Sequence, residues 1–401
     1  MSVVIACCCA AVTQIHKTGS TTFHNIVCRF ALTRHLKVAL FTSIYGKPFP
    51  DTCRPHLLFE VIDEAGGNYT RYNVACDHAR YDTKYPYAYM AADTVSVSLV
   101  REPFSRLKSA FRYFGLTKQL GLSHYAYPLY EYLLRVNQSL ASSKCPLWTR
   151  NTQMYTFGWP DIHNNSVRAA RRYIRHIDAK FDLVLTLERF PESLVLMRRR
   201  YGWTTRDIMH SMNNVRAAPR PSVPRDAVRL ERARAIDRRF SRVDYVMYEY
   251  FANKLDAILA KQPPDFQHEV AYFKSLNSNV TSQCRAAWGR FSREAHVLGW
   301  PRDELLKRLR QTVVARVAAA RWHDAFALTM LDCRLMLIDT LYYQNALRVR
   351  QFPGTCHRPG GPPVRQPVHR NHLISDNWCR PDINDTYSFS LEALMGREKL
   401  L

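Results

Sequence analysis

An apolar run of strand type, residues 3–12, opens the chain and leads into a polar turn, His16-Lys17-Thr18-Gly19-Ser20-Thr21-Thr22. Beyond the turn, Phe23, Ile26, Val27, Phe30 and Ala31 fall at i, i+3, i+4, i+7 and i+8, the spacing of a helix with one buried face. Further strands are predicted at 37–41, 72–76, 94–100 and 182–187. Residues 42–71, with Gly46, Pro48, Pro50, Pro55 and Gly66-Gly67, read as loop and turn. The clearest strand is 94–100, β-branched and almost wholly apolar. It ends in Arg101-Glu102-Pro103, and Pro103 suits the first position of a helix whose buried stripe is Phe104, Leu107, Lys108, Phe111 and Phe114. Helices are predicted at 124–138, 166–179 and 191–200. After Pro219–Pro224 the character changes: helical patterns run through 225–259, 265–283 and 302–350 with few strand signals. This predicts an α/β core over residues 1–218, a central mainly parallel sheet flanked by helices. A helical C-terminal extension of the same domain follows over 219–351, and a Pro/Gly/His-rich tail of loop or disorder over 352–401.

Strand, Gly/Ser/Thr turn and helix N-terminus in this order form an anion site. The first-turn N–H groups have no intrahelical partners, and the helix dipole is positive there. Gly19 lets backbone approach an anion, Ser20, Thr21 and Thr22 add hydroxyl donors, and Lys17 adds a mobile charge. The nucleotide-triphosphate loop G-x-x-x-x-G-K-[ST] is absent, since the lysine precedes the glycine. An ordinary capped helix beside a stray lysine is the competing reading. Arg101, Ser105, Arg106 and Ser109 make a second strand–turn–helix unit, with a bidentate fork on Arg101 and a hydroxyl on Ser109. Two such units suggest a nucleotide carrying phosphates at two separate places. His78 ends a predicted strand, where open α/β sheets place functional groups; a solvent-exposed loop histidine is the alternative.

Charge and cysteine content narrow the picture. The chain of 401 residues has a formal net charge of +23, which points to an anionic partner: nucleic acid, membrane surface, polyanionic glycan or nucleotide. The arginines are spread over many helices, and no RNA-binding signature, zinc finger or basic zipper accompanies them, so nucleic acid is not the expected partner. Among 11 cysteines there is no C-x-x-C or His/Cys cluster at zinc spacing, and no metal site is expected. Sequons at Asn68, Asn137, Asn164, Asn279 and Asn384 favour the secretory pathway. Residues 3–12 are too short for a membrane span and flow directly into the anion loop, so any membrane anchor is expected to be missing from this chain.

Both anion units, in this order, resemble those of Golgi carbohydrate sulfotransferases, and the longer set of motifs resembles the galactose 3-O-sulfotransferase family, which includes galactosylceramide sulfotransferase. The resemblance rests on His16 to Thr22 with Asn25-Ile26 and Arg29-Phe30, on Tyr72 to His78, and on Leu99 to Arg106 with Ser109-Ala110-Phe111. Arg150-Asn151-Thr152-Gln153, Phe181 to Val184, Glu192 to Val195, Asn214-Val215-Arg216 and Asp244 with Tyr248 extend it to about residue 345. It implies a P-loop-like sulfotransferase fold and 3′-phosphoadenosine 5′-phosphosulfate (PAPS) as co-substrate, without a metal. Lys17, Thr18, Gly19, Ser20, Thr21 and Thr22 would hold the 5′-phosphosulfate, and Arg101 and Ser109 the 3′-phosphate. It further implies a galactose-terminated glycolipid or glycan as acceptor, and a lumenal catalytic domain at the Golgi membrane.

In an in-line sulfuryl transfer, charge grows on the leaving bridging oxygen, so positioning and electrostatics carry most of the catalysis. Lys17 is the expected partner of that oxygen. His78 is the expected general base toward the sugar hydroxyl, with His16 as runner-up and an acid limb near the ordinary histidine value. Sulfation of a glycosaminoglycan, non-catalytic polyanion binding and a P-loop kinase are the competing functions. The kinase is disfavoured by the missing Walker lysine position and magnesium-binding acid.

Overall fold

A computed structural model describes residues 9–39, 71–78, 80–81, 90–138, 146–212, 224–338, 343 and 347. Five strands build the central sheet: β1 (Ala10–Thr13), β2 (Val38–Ala39), β3 (Val74–Asp77), β4 (Val95–Val100) and β5 (Leu183–Thr186), in the order β2-β3-β1-β4-β5. Every neighbouring pair is parallel. A parallel sheet is covered on both faces, so its strands read as continuous apolar runs rather than alternations; β1 and β5 are buried at every position. All five strands lie where the sequence predicts them, with ends shifted; β1 and β3 each run one residue past the predicted end, to Thr13 and Asp77. Residues 3–8 of the first predicted strand and 40–41 of the second lie outside the described residues. So do most of the predicted loop and the tail 352–401.

Helix α1 (Ser20–Thr33) buries Phe23, Ile26, Val27, Phe30 and Ala31, the predicted stripe. Helix α2 (Pro103–Tyr113) likewise buries Phe104, Leu107 and Phe111. Lys108 Nζ lies 5.2 Å from the Phe104 ring centroid, its stem covering the edge of the stripe. Arg106, read as part of the anion-binding half of α2, is instead buried and donates to Trp148 O at 2.9 Å.

The later region departs from the sequence reading in three places. The predicted helix 225–259 is two helices, Pro224–Phe240 and Arg242–Ala260, meeting at Ser241. The helix predicted at 265–283 runs on to Leu298 and ends where Gly299 turns left-handed at φ 57°. The single helical pattern over 302–350 contains an antiparallel hairpin, β6 (Val313–Val317) and β7 (Phe326–Thr329), between helices Arg302–Gln311 and Met330–Leu337. Ala315 and Val317 are buried while Arg316 between them is exposed. That period of two, on β-branched residues, is hidden in a stretch rich in Ala and Arg.

Packing ties this region to α1. Asn25 Nδ2 donates to Leu335 O at 2.8 Å and Ile338 O at 3.0 Å. Arg29 donates to Asn25 Oδ1 at 3.0 Å, to Asp207 O at 2.7 Å and to Met209 O. One hydrophobic cluster joins Val12, Phe30 and Leu194 with Phe266, Phe273 and Cys333. Cys333 is bonded to Cys284 on the long helix, with Cα atoms 5.0 Å apart. Among the described residues no helix is long and apolar enough to cross a membrane.

Candidate active site

The strand order fixes where a ligand can sit. From β1 the chain crosses toward β2, and from β4 it crosses toward β5, so the crevice between their C-terminal ends is the topological switch point. Three predicted elements meet there: the loop after β1, Arg101 after β4 and His78 after β3. Thr13 pairs with Asp77 on one side and with Ser98 on the other, so β1 and β3 end level while β4 runs two residues further, to Val100.

The loop after β1 is shaped for close approach. Gly19 is the N-cap of α1 at φ 86°, ψ 12°, and a Cβ there would meet Leu187 Cδ1 at 2.6 Å. Lys17 is also left-handed, at φ 69°, a strained conformation for a residue that carries a Cβ. Thr18 is buried and donates to Ile15 O at 2.9 Å, so its hydroxyl braces the loop from beneath. No side-chain hydrogen bond caps α1 and no acidic residue stands in its first turn, so no carboxylate offsets its positive dipole end. Ser20 and Thr22 are buried; Thr21 is partly exposed. The Thr22 amide donates within the turn to Gly19 O at 3.1 Å.

Arg101 joins the two units directly: its Nη1 donates to Lys17 O at 3.2 Å. Its backbone is clamped by Gln153, whose Oε1 accepts from Arg101 N at 3.0 Å and whose Nε2 donates to Arg101 O at 2.8 Å. Gln153 N and Met154 N in turn donate to Asp244, at 3.1 and 2.8 Å. Burial pushes the Asp244 carboxyl up to about 6, opposed by the nearby Arg106 guanidinium. The N-terminus of α2 is closed by its own residue. The Glu102 carboxylate accepts from Phe104 N at 3.2 Å and Ser105 N at 2.8 Å, and also pairs with Arg234 at 3.1 Å. Ser109 is partly buried on α2, and the described contacts do not tie it to the loop.

His78 and His16 stack face to face, ring centroids 3.7 Å apart at 11°. The edge of the Trp148 ring meets His16 at 4.9 Å, and Trp148 stacks on Phe114 at 4.1 Å. His78 Nδ1 is 3.2 Å from Gln14 O. A carbonyl only accepts, so Nδ1 carries the hydrogen and the lone pair lies on Nε2. Burial lowers the His78 pKa to about 4, partly offset by the Gln14 bond. His16 is held well below its ordinary value by burial and then by His78. If His78 is the base, its acid limb is expected below the ordinary histidine value. Burial, with Arg101 and Arg112, lowers Lys17 to about 8, and its ammonium rests 3.5 Å from the centroid of the Tyr113 ring.

Lys17, His16, His78 and Arg101 thus lie at the same strand ends. Gln153, Trp148 and Tyr113 carry no role in the sequence reading. Gln153 stands in the Arg150–Gln153 motif, but only the fold shows it gripping Arg101. Tyr113 and Trp148 lie on predicted or flanking helices and give no local signal. The structure also groups His24, Cys28 and Cys76, buried, with ligand atoms within 4.8 Å of one another. Sequence spacing missed this trio because the cysteines are 48 residues apart.

Comparison with known proteins covers the same region. The family model for galactose-3-O-sulfotransferase matches residues 9–299. Human galactose-3-O-sulfotransferase 2 is 27% identical over 356 residues, 85% of this chain and 83% of the relative. Human galactose-3-O-sulfotransferase 3 is 29% identical over 59% of this chain and 54% of its own length. Mouse galactosylceramide sulfotransferase is 25% identical over 68% and 62%. With a parallel α/β sheet, a Lys-Thr-Gly-Ser loop at its switch point and a family match over most of its length, the chain belongs to the galactose-3-O-sulfotransferase family.

Proposed function

We propose that this chain transfers the sulfuryl group of PAPS to the 3-hydroxyl of a terminal galactose on a glycolipid or glycan. The observation that carries the reading is the meeting of Lys17, Arg101 and the α1 N-terminus at one strand-end crevice, with His78 alongside. These groups fit a donor with two anionic ends. The α1 N-terminus has no carboxylate of its own, and the glycine cradle leaves room only for backbone. Lys17, Thr18, Gly19, Ser20, Thr21 and Thr22 would hold the 5′-phosphosulfate; Arg101 and Ser109 would hold the 3′-phosphate. PAPS supplies the sulfuryl group and a phosphate leaving group.

Lys17 opposes the charge that grows on the bridging oxygen, and Arg101 Nη1 holds the Lys17 carbonyl and so the loop. His78 Nε2 takes the proton of the galactose hydroxyl, its tautomer set by Gln14. His16, wedged between His78 and Trp148, keeps that ring in place. In this reading the chain works in the Golgi lumen, beside membrane-borne acceptors. Its Cys284–Cys333 disulfide suits an oxidising compartment.

The test is sulfur-35 PAPS offered with galactosylceramide, lactosylceramide, N-acetyllactosamine and glycosaminoglycan chains. Label is expected on terminal galactose and is expected to vanish when O3 is methylated. Transfer only to glycosaminoglycan, or to none, overturns the reading. Because the donor set is cationic side chains, hydroxyls and amides, calorimetric PAPS binding is expected to survive a chelator unchanged; loss on chelation would mean that a divalent ion belongs to the site.

A further inference from the structure

Two sulfurs meet where α1 packs on β3. Cys28 lies in the third turn of α1, and Cys76 is the third residue of β3, two positions before His78. Their Sγ atoms are 2.8 Å apart and both residues are buried. That is well inside the separation of about 3.5–4.0 Å at which non-bonded heavy atoms rest. His24, one turn before Cys28, completes the trio. A tetrahedral zinc ion, with Zn–S bonds of about 2.3 Å, would hold the sulfurs roughly 3.7 Å apart and would need both as thiolates. The same hydrophobic core already contains the Cys284–Cys333 disulfide, so it matures under oxidising conditions.

We infer that Cys28 and Cys76 join in a second disulfide during maturation, bracing the helix of the Lys17 loop against the strand that carries His78. The oxidant is a thiol-exchange disulfide, small-molecule or protein, of the glutathione disulfide class. One cysteine thiolate attacks that disulfide, forming a mixed disulfide and releasing one thiolate. The second cysteine thiolate attacks the protein sulfur of the mixed disulfide; the S–S bond forms and the other thiolate leaves. Two protons leave the cysteines, and two electrons reduce the oxidant to two thiols. Since both sulfurs are buried in the folded core, the exchange precedes the closing of α1 on β3. The bond then fixes the relative position of two elements that meet at the crevice.

The test is a non-reducing peptide map of the full chain. The full chain is reduced, unfolded and refolded in a glutathione redox buffer until the Cys284–Cys333 peptides are cross-linked, then denatured and alkylated. The expected result is a reducible cross-link between the Cys28 and Cys76 peptides, with alkylation lost at both sites. Alkylated Cys28 and Cys76 overturn the inference, as does a bond from either to another cysteine. Zinc retained in native mass spectra by two alkylatable thiols also overturns it. This map does not depend on the sulfotransferase reading. The brace, which does rest on that reading, is tested by donor KM. Cys28→Ser, Cys76→Ser and the double variant are expected to raise it by the same factor, because either single change already removes the bond. Additive effects would mean two independent packing defects and no brace.

Discussion

Two strand–turn–helix units flank the crevice, β1–α1 and β4–α2, and they solve the helix N-terminus in opposite ways. In the first, Gly19 turns left-handed, no carboxylate or side chain caps the helix, and Lys17 stands in the turn. In the second, Glu102 folds back onto Phe104 N and Ser105 N and is itself neutralised by Arg234. An exposed backbone terminus attracts an anion; a terminus satisfied by its own carboxylate does not. So the first unit can bind through main chain and side chain together. The second offers Ser109 from an already capped helix and Arg101 from the turn before it. The pattern of residues makes the units look equivalent; the capping makes one a cradle and the other a frame.

The largest effect is expected outside both units. His78→Ala should lower kcat by roughly a hundred- to ten-thousandfold while donor affinity stays near normal. Protonated imidazole cannot accept a proton, so the wild-type rate should fall as pH drops through the His78 pKa, lowered by burial to about 4. A bound polyanion favours imidazolium and raises that pKa. The acid limb of kcat should therefore lie at higher pH than that of kcat/KM, and His78→Ala should lack both. A His78→Ala enzyme with an unchanged acid limb would move the base to His16, to be checked in His16→Ala.

Within the cradle, Lys17→Ala should cost about a hundred- to a thousandfold in kcat, since a charge on the leaving oxygen is then unopposed. A loss confined to donor KM would place Lys17 on a remote phosphate instead. Lys17 is lowered to about 8, so donor affinity of the wild type should weaken as pH rises through that value, and Lys17→Arg should remove the limb.

The frame should respond more mildly. Arg101→Ala should raise donor KM roughly tenfold to a hundredfold, because a hydrogen bond to a charged group is worth about 1.5–3 kcal/mol. Ser109→Ala should act in the same direction. If neither moves donor affinity, the 3′-phosphate is bound elsewhere. Smallest is Glu102→Ala: urea unfolding should show a loss of about 1 kcal/mol, the cost of a helix cap, with donor KM no higher than wild type. A rise in donor KM matching that of Arg101→Ala would mean that Glu102 orders the site as well as the helix.

Local chemistry by itself determined the sheet strands, the Lys17–Thr22 turn and the two stripes Phe23–Ala31 and Phe104–Phe111, because period, turn residues and helix starts are written over a few neighbouring positions. It also named Lys17, Arg101 and His78. Contacts between segments 42 to 310 residues apart were decided only in three dimensions: Asn25 with Leu335, Gln153 with Asp244, Cys28 with Cys76, and Arg106 drawn under Trp148. The hairpin β6–β7 belongs with them, since its short β-branched run sits in an Ala- and Arg-rich stretch that reads as helix, and packing against the 33-residue helix favours the strand period. Sequence specifies which groups a segment can offer; which of them face a common crevice depends on strand order and on what caps each helix.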